Sequence, residues 1–183
     1  MALNRKLILA GFLGLFLLAG CQAKNQPVGL ERLDYPSSLE SLLDRFEGQL
    51  VYIDVMASWC KPCLEELPRY ADSEEFFRKH GIVKLFISID GTPEEIDRCA
   101  ESIESHNLSG YYATYAPPSG QNPQSSFPHD VEPFFISYDN DGNMTGMSVP
   151  QYLIVDKEGN IVERKAKRPS DPESLQEQLS LYL

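Results

Sequence analysis

The sequence is poor in cysteine. Its four thiols, Cys21, Cys60, Cys63 and Cys99, are spread over 183 residues, too few for a scaffold in which bridges replace a core. It also lacks an excess of positive charge: 16 Lys and Arg stand against 27 Asp and Glu, a formal net charge of −11. A phosphate-neutralising surface is therefore not expected, and nucleic acid is excluded as a partner. The apolar run Leu7–Leu18 is twelve residues long, short of the roughly 20 that a membrane-spanning helix needs. Only one pair of cysteines is closely spaced, and His80, His106 and His129 lack the close pairing usual in structural zinc sites. What is present is 42% hydrophobic and 23% charged, enough to bury the core of one globular domain.

Arg5 and Lys6 precede the run Leu7–Leu18, the layout of a signal peptide. Leu18-Ala19-Gly20-Cys21 then resembles the lipobox of bacterial lipoproteins. That resemblance implies removal of residues 1–20 and attachment of lipid to Cys21, leaving a membrane-anchored lipoprotein that faces the periplasm or extracytoplasmic space. The plainer alternative is ordinary secretory cleavage near Gly20, with Cys21 a stray thiol. Several acyl chains, at about 0.8 kcal/mol per buried CH₂, make a durable anchor. Losing residues 1–20 removes two positive and no negative side chains, so the charge moves from −11 to −13. Residues 21–36 are expected to be the lipidated end and a polar tether, and residues 37–183 the folded domain.

Within that domain, Ser37 and Ser38 can cap a helix Leu39–Phe46 that stops at Gly48. Residues Leu50–Val55 read as a strand apolar on both faces, with Asp54 its only charge. A helical stretch ending at Gly81 and a second strand, Val83–Ile89, follow; strand, helix, strand is the pattern of a parallel pair in an α/β sheet. Thr92-Pro93-Glu94-Glu95 opens a helix by a capping box with proline at its first position. Its buried stripe is Ile96, Cys99, Ala100 and Ile103, which makes Cys99 a small core hydrophobe, with a regulatory or resolving role as the alternative. Gln151–Val155, a turn at Lys157–Asn160 and a strand from Ile161 to about Lys165 read as a hairpin. Asp171 and Pro172 open a last helix with Leu175 and Leu179 on one face.

Chemistry concentrates in Trp59-Cys60-Lys61-Pro62-Cys63, directly after the strand that carries Asp54. A Cys-x-x-Cys pair on a helix's first turn can close a small disulfide, and it can equally be half of a zinc site. The helix N-terminus and Lys61 both favour thiolate at Cys60, which marks it as the nucleophile.

With these residues the sequence resembles the thioredoxin superfamily, and within it the membrane-tethered thiol-disulfide oxidoreductases of the TlpA/ResA type. Asp54 stands six residues before Cys60, where the family has a buried acid. Pro68 stands five after Cys63, where the family kinks its active-site helix. Val149-Pro150 precedes the strand from Gln151, where the family has a cis-proline, and Val155–Ile161 looks like the terminal hairpin. The resemblance covers roughly residues 38–105 and 149–183. It implies a thioredoxin-like α/β fold, a central mixed sheet flanked by helices, and a redox-active disulfide between Cys60 and Cys63. Cys60 attacks, Cys63 resolves the mixed disulfide, and Asp54 accepts the Cys63 proton; a sheet-end cap is the alternative role for Asp54. Trp59, Lys61, Val149 and Pro150 would meet the substrate, although Trp59 also suits core filling and Pro150 a plain turn. No cofactor or metal is expected. The implied partners are thiols and disulfides of exported proteins, such as apocytochrome c cysteines, and a membrane electron donor.

The departure from the family is the stretch 106–148, whose Pro117, Pro118, Pro123, Pro128 and Gly120 read as an inserted loop. Within it Phe134–Tyr138 and a turn at Asp139–Asn143 suggest an added hairpin before the cis-proline; the same turn resembles the start of a calcium loop but lacks the closing glutamate. Ser148 and Lys61 replace glycines common in the family, and partner specificity is expected in this insert. The function expected is an extracytoplasmic thiol-disulfide oxidoreductase that reduces disulfides of exported proteins. The alternatives are a disulfide oxidase or isomerase, and a copper or zinc carrier on the same fold.

Overall fold

Two mainly apolar runs, interrupted by Asp54 in one and by Lys84 and Ser88 in the other, set the centre of the molecule. Val51–Met56 and Val83–Ser88 are buried at every position, and such strands are stable only where helices cover both faces of the sheet. In the computed structural model, which describes residues 27–33, 38–114 and 132–183, they lie in a six-stranded mixed sheet. The elements are β1 (Leu30–Arg32), α1 (Leu39–Leu43), β2 (Val51–Met56), α2 (Lys61–Glu66), α3 (Glu74–His80), β3 (Val83–Ser88), α4 (Pro93–Ser105), β4 (Gly110–Thr114), β5 (Ile136–Tyr138), β6 (Met144–Met147), β7 (Gln151–Val155), β8 (Ile161–Glu163) and α5 (Pro172–Ser180). Strand order is β1-β4-β3-β2-β7-β8, with β5 and β6 paired apart. The pairs β1–β4, β4–β3 and β3–β2 are parallel, and β2–β7 and β7–β8 antiparallel.

Local signals place most elements. Ser38 caps α1 in a box with Ser41, and the helix tightens to a 3₁₀ turn over Asp44–Phe46. Thr92 and Glu95 form the expected box on α4, behind Pro93. Gly81 ends α3 at φ +63°, and Asp171 caps α5. Cys99, Ala100, Ile103, Leu175 and Leu179 are all fully buried, as their spacing requires. The bounds of the strands expected at 50–55, 83–89 and 161–165 move to 51–56, 83–88 and 161–163.

Two expectations need correction. The stretch 106–148 is not loop throughout: Gly110–Thr114 is β4, an interior strand between β1 and β3. Its residues Tyr112 and Ala113 are buried, and the Tyr112 hydroxyl donates to the Ile96 carbonyl at 2.9 Å. Five residues between His106 and a proline-rich segment carry too little periodicity to announce a strand, and partners on both sides supply what propensity does not. The second correction concerns the tether expected over 21–36. Leu30–Arg32 pairs with Gly110–Tyr112 as an edge strand, and Leu33 behind it joins the core. Residues 1–20, where a signal peptide is expected, Cys21, Ser37 and prolines 117, 118, 123 and 128 lie outside the described residues, among which no helix is long and apolar enough to cross a membrane.

Gly110 is the tightest backbone approach in the sheet. Its φ is +153°, and a Cβ there would stand 2.7 Å from the Lys84 carbonyl oxygen, a distance that side chains do not tolerate beside fixed backbone. Gly110→Ala is expected to destabilise the fold by about 2–3 kcal/mol, read as a lower midpoint in urea unfolding at unchanged slope.

Candidate active site

Cys60 is the N-cap of α2, extended at φ −84°, ψ 94°. Its N–H donates to the Ala57 carbonyl at 3.1 Å, and its own carbonyl accepts from Leu64. Pro62 sits in the first turn, where a missing N–H costs nothing. This geometry brings the Cα atoms of Cys60 and Cys63 to 5.3 Å, and the two are joined as a disulfide; the Cys63 N–H points at the Cys60 sulfur at 3.2 Å. Both are buried, while Trp59 beside them is 54% exposed, which removes core filling as its role. Lys61 is exposed and lies 3.7 Å from the Glu65 carboxylate, one turn on, so its charge is shared between that pair and the helix start. The helix gives way to a 3₁₀ turn over Leu67–Asp72 at Pro68, which cannot donate to Leu64.

Asp54 is 1% exposed in the middle of β2. It stands opposite Phe86 on β3 and Tyr152 on β7, so these three share one face, and Tyr52 joins them two residues earlier. Tyr70, from the 3₁₀ turn after α2, closes the collar, and its hydroxyl donates to Asp54 Oδ2 at 2.9 Å. Tyr52 stacks on Tyr152 at 5.7 Å, and Tyr70 meets Phe86 edge-on at 5.5 Å. Asp54 Oδ1 and the Tyr152 hydroxyl have no hydrogen-bond partner in this collar. Burial pushes the Asp54 carboxyl up from 3.8 to about 7, the Tyr70 hydrogen bond pulling the other way and the Glu66 charge adding to the rise.

The Val149–Pro150 peptide is cis. Gln151 pairs with Val55, and one step further along this ladder puts Pro150 level with Met56. The cis-proline and the cysteine pair thus sit at the same end of the sheet. Val149 is partly buried against the core, and Cys99 lies elsewhere, in α4, fully buried with its thiol pushed up to about 12 mainly by desolvation. The Asp139 carboxylate accepts from the N–H groups of Asp141 and Asn143, which is turn chemistry.

Two positioning acids were not anticipated. Asp90, buried just past β3, accepts from the Ser58 N–H at 2.9 Å, the Ser58 hydroxyl at 2.8 Å and the Ser88 hydroxyl at 2.7 Å, and so holds the segment that leads to Trp59 and Cys60. Glu66, on the buried side of α2 with Cys63, accepts from the Ser170 N–H and hydroxyl, each at 2.9 Å. Neither carried a distinct signal in the sequence: Asp90 stands just past a strand, and Glu66 follows another acid, Glu65, in a helix.

Two measurements follow from the Asp54 collar. A carboxyl whose folded pKa is raised holds its proton more tightly in the native protein than in the unfolded chain, so its ionisation opposes folding. The penalty is absent below about pH 4, grows between about pH 4 and 7 and is full above that, where 3.8 against about 7 amounts to about 4 kcal/mol. Asp54→Asn is expected to raise stability at pH 8 and leave it little changed at pH 4, read by urea unfolding at both. Tyr70→Phe removes the only hydrogen bond to the carboxylate among the described residues, worth about 1.5–3 kcal/mol to a charged group. Its Asp54 titration, followed by carboxyl NMR, is expected to move up from about 7 to 8 or beyond.

The model of the Redoxin family matches residues 28–179. Over 96 residues the chain is 26% identical to the thiol-disulfide oxidoreductase ResA of Oceanobacillus iheyensis, a stretch that takes in 52% of this chain and 46% of that one; the match therefore spans about half the length of that curated relative. A Bacteroides vulgatus protein solved in solution and assigned as a thiol-disulfide oxidoreductase shares 25% identity, with 76% of this chain and 79% of that one covered and a TM-score of 0.52. The thioredoxin domain of a thiol-disulfide oxidoreductase from the same organism covers 76% of this chain and 83% of its own at 19% identity and a TM-score of 0.53, a likeness of fold. With matched residues running from β1 into α5, the chain belongs to the Redoxin family, on a thioredoxin-like fold.

Proposed function

We propose that the protein is a thiol-disulfide oxidoreductase that reduces disulfides of exported proteins. The observation that carries this reading is the Cys60–Cys63 disulfide at the start of α2, at the same end of the sheet as cis-Pro150, with a buried carboxyl held near neutral pKa on the strand that leads to it. In the reduced protein the Cys60 thiolate attacks one sulfur of a substrate disulfide. A new S–S bond forms, the old one breaks, and one substrate thiolate leaves. Asp54 takes the proton from Cys63, whose thiolate attacks Cys60, re-forms the bridge and releases the second substrate thiolate. Two electrons pass from the dithiol to the substrate, and a membrane donor must restore them. Trp59 and Lys61 border the cysteines, and the backbone at Val149 and cis-Pro150 pairs with an extended substrate strand. Arg5, Lys6, Leu7–Leu18 and Cys21 support export and lipid anchoring at Cys21, with the domain on the extracytoplasmic side, where apocytochrome c cysteines are a fitting substrate.

The test is the reduction potential of the pair in residues 22–183, followed by the fluorescence of Trp59, the chain's single tryptophan. A two-electron transition near −270 mV is expected of a reductase; a value near −120 mV would make the protein an oxidant. No transition at all would overturn the enzymatic reading in favour of a metal carrier. Cys63→Ser is expected to accumulate a mixed disulfide through Cys60 with a cystine peptide, visible by mass, while Cys60→Ser forms none.

A further inference from the structure

The hairpin β5–β6 is amphipathic because it is irregular. Ile136 pairs with Met147, Ser137 with Gly146 and Tyr138 with Met144, with the register shifting between Ser137 and Tyr138. Two residues three apart on a regular strand point to opposite faces. The bulge inserts Thr145, whose hydroxyl donates to the Ser137 carbonyl at 3.1 Å, and so returns Met144 and Met147 to one side. Opposed residues project together, so Ile136, Tyr138, Met144 and Met147 share a face, with Ser137 and Gly146 on the other. Ile136 packs against the core at the root of that face, and beyond it the face is open to solvent, Tyr138 at 49%, Met144 at 48% and Met147 at 43%.

The distribution of such side chains over the surface is uneven. Among the described residues the exposed large apolar ones are Val28, Trp59, Tyr138, Met144, Met147, Leu181 and Leu183. Val28, Leu181 and Leu183 lie near the ends of the described chain. The rest are Trp59, beside Cys60, and the hairpin face. The hairpin is also joined to the reaction centre: the Ser148 N–H donates to the Phe135 carbonyl at 2.8 Å, Phe135 is buried, and the cis-proline follows two residues later.

We propose that this hairpin face is the seat for apolar side chains of the polypeptide whose disulfide is being exchanged, an inference that rests on the exchange reading above. Met147 is three residues from Pro150, about 10 Å of strand. A substrate segment laid along cis-Pro150 therefore passes the hairpin with residues about three positions from its cysteine. Unfolded and wrongly bridged chains present leucine or phenylalanine there, whereas native proteins bury them. Methionine suits such a seat, because its flexible, polarisable side chain packs against many shapes. The enzyme thereby prefers disulfides in chains that have not folded.

The test uses two cystine peptides of equal charge, one with leucine three residues from each cysteine and the other with serine, and dithiothreitol to regenerate the dithiol. The protein is expected to reduce the leucine peptide with about tenfold higher kcat/KM, equivalent to about 1.4 kcal/mol, the difference lying in KM. In the double variant Met144→Ser, Met147→Ser, both side chains being exposed, that ratio is expected to fall to about one with an unaltered melting curve. A wild-type ratio near one, or a ratio of ten that survives in the variant, overturns the hairpin proposal while leaving the reductase reading standing. Failure of the wild type to reduce either peptide or glutathione disulfide overturns both. Sedimentation showing a wild-type dimer and a monomeric variant assigns the face to a second copy of the chain and overturns the proposal as well.

Discussion

A carboxyl group buried in the middle of a central strand and ringed by aromatic side chains constrains the rest of this molecule. Asp54 has Phe86 and Tyr152 as lateral neighbours and Tyr70 as its hydrogen-bond donor, and among the described residues the charge that acts on it is the like charge of Glu66. Its ionised form is disfavoured by desolvation far more than one tyrosine hydroxyl repairs. The surroundings answer with aromatic bulk rather than cations, and the stacked and edge-on rings of Tyr52, Tyr70, Phe86 and Tyr152 keep water away. A group held near neutrality in this way gives up or takes a proton with little free energy either way at physiological pH, which is the property a proton acceptor needs. The same property makes it a burden on stability.

The rest of the site is built so that the cysteines do not move to relieve that burden. Asp90 ties the backbone of Ser58 to the end of β3, and Glu66 ties α2 to the segment before α5. The Tyr52 hydroxyl adds a third link, to the Lys167 carbonyl at 2.6 Å. Each joins chain segments far apart in sequence, so the start of α2 is fixed from the sheet beside it and from the C-terminal segment. Buried polar groups that are fully hydrogen-bonded specify one arrangement more sharply than apolar packing does. Asp90 and Glu66 are spent on position, whereas Asp54 keeps one oxygen without a partner.

How much of this was legible in the sequence depended on whether a residue's signal was local. Thr92-Pro93-Glu94-Glu95 announces a helix from four residues, and β2 and β7 announce themselves by apolar runs beside turn residues. β4 does not, because its place is set by strands on either side and by the close approach at Gly110, which Lys84 and Phe86 of β3 explain. β1 escaped for a related reason: three residues inside a polar stretch become a strand only when an edge is there to receive them. The cysteines, Asp54 and Pro150 were readable as a family pattern, and the cis peptide matches it. Asp90 was hidden because an acid at a strand's end has many uses, and its use here is fixed by Ser58, 32 residues away.

The electrostatics of the helix start act more on redox poise than on rate. Lowering a thiol's pKa from about 8.5 to about 7 raises its thiolate fraction at pH 7 about fifteenfold. Intrinsic nucleophilicity falls about fivefold over the same interval, so attack gains only about threefold. The stabilised thiolate is, however, a better leaving group, which makes both the bridge and the mixed disulfide easier to break. Lys61 does little to push this further, since it is exposed and faces Glu65. The proposed resolving step needs instead a free Cys63 thiolate, and Cys63 is buried against the core, where an unpaired charge is costly. In the proposed reaction a buried acid with a pKa near neutral, Asp54, lowers that barrier by taking the proton within the protein. On that reading the carboxyl serves the second thiol rather than the first.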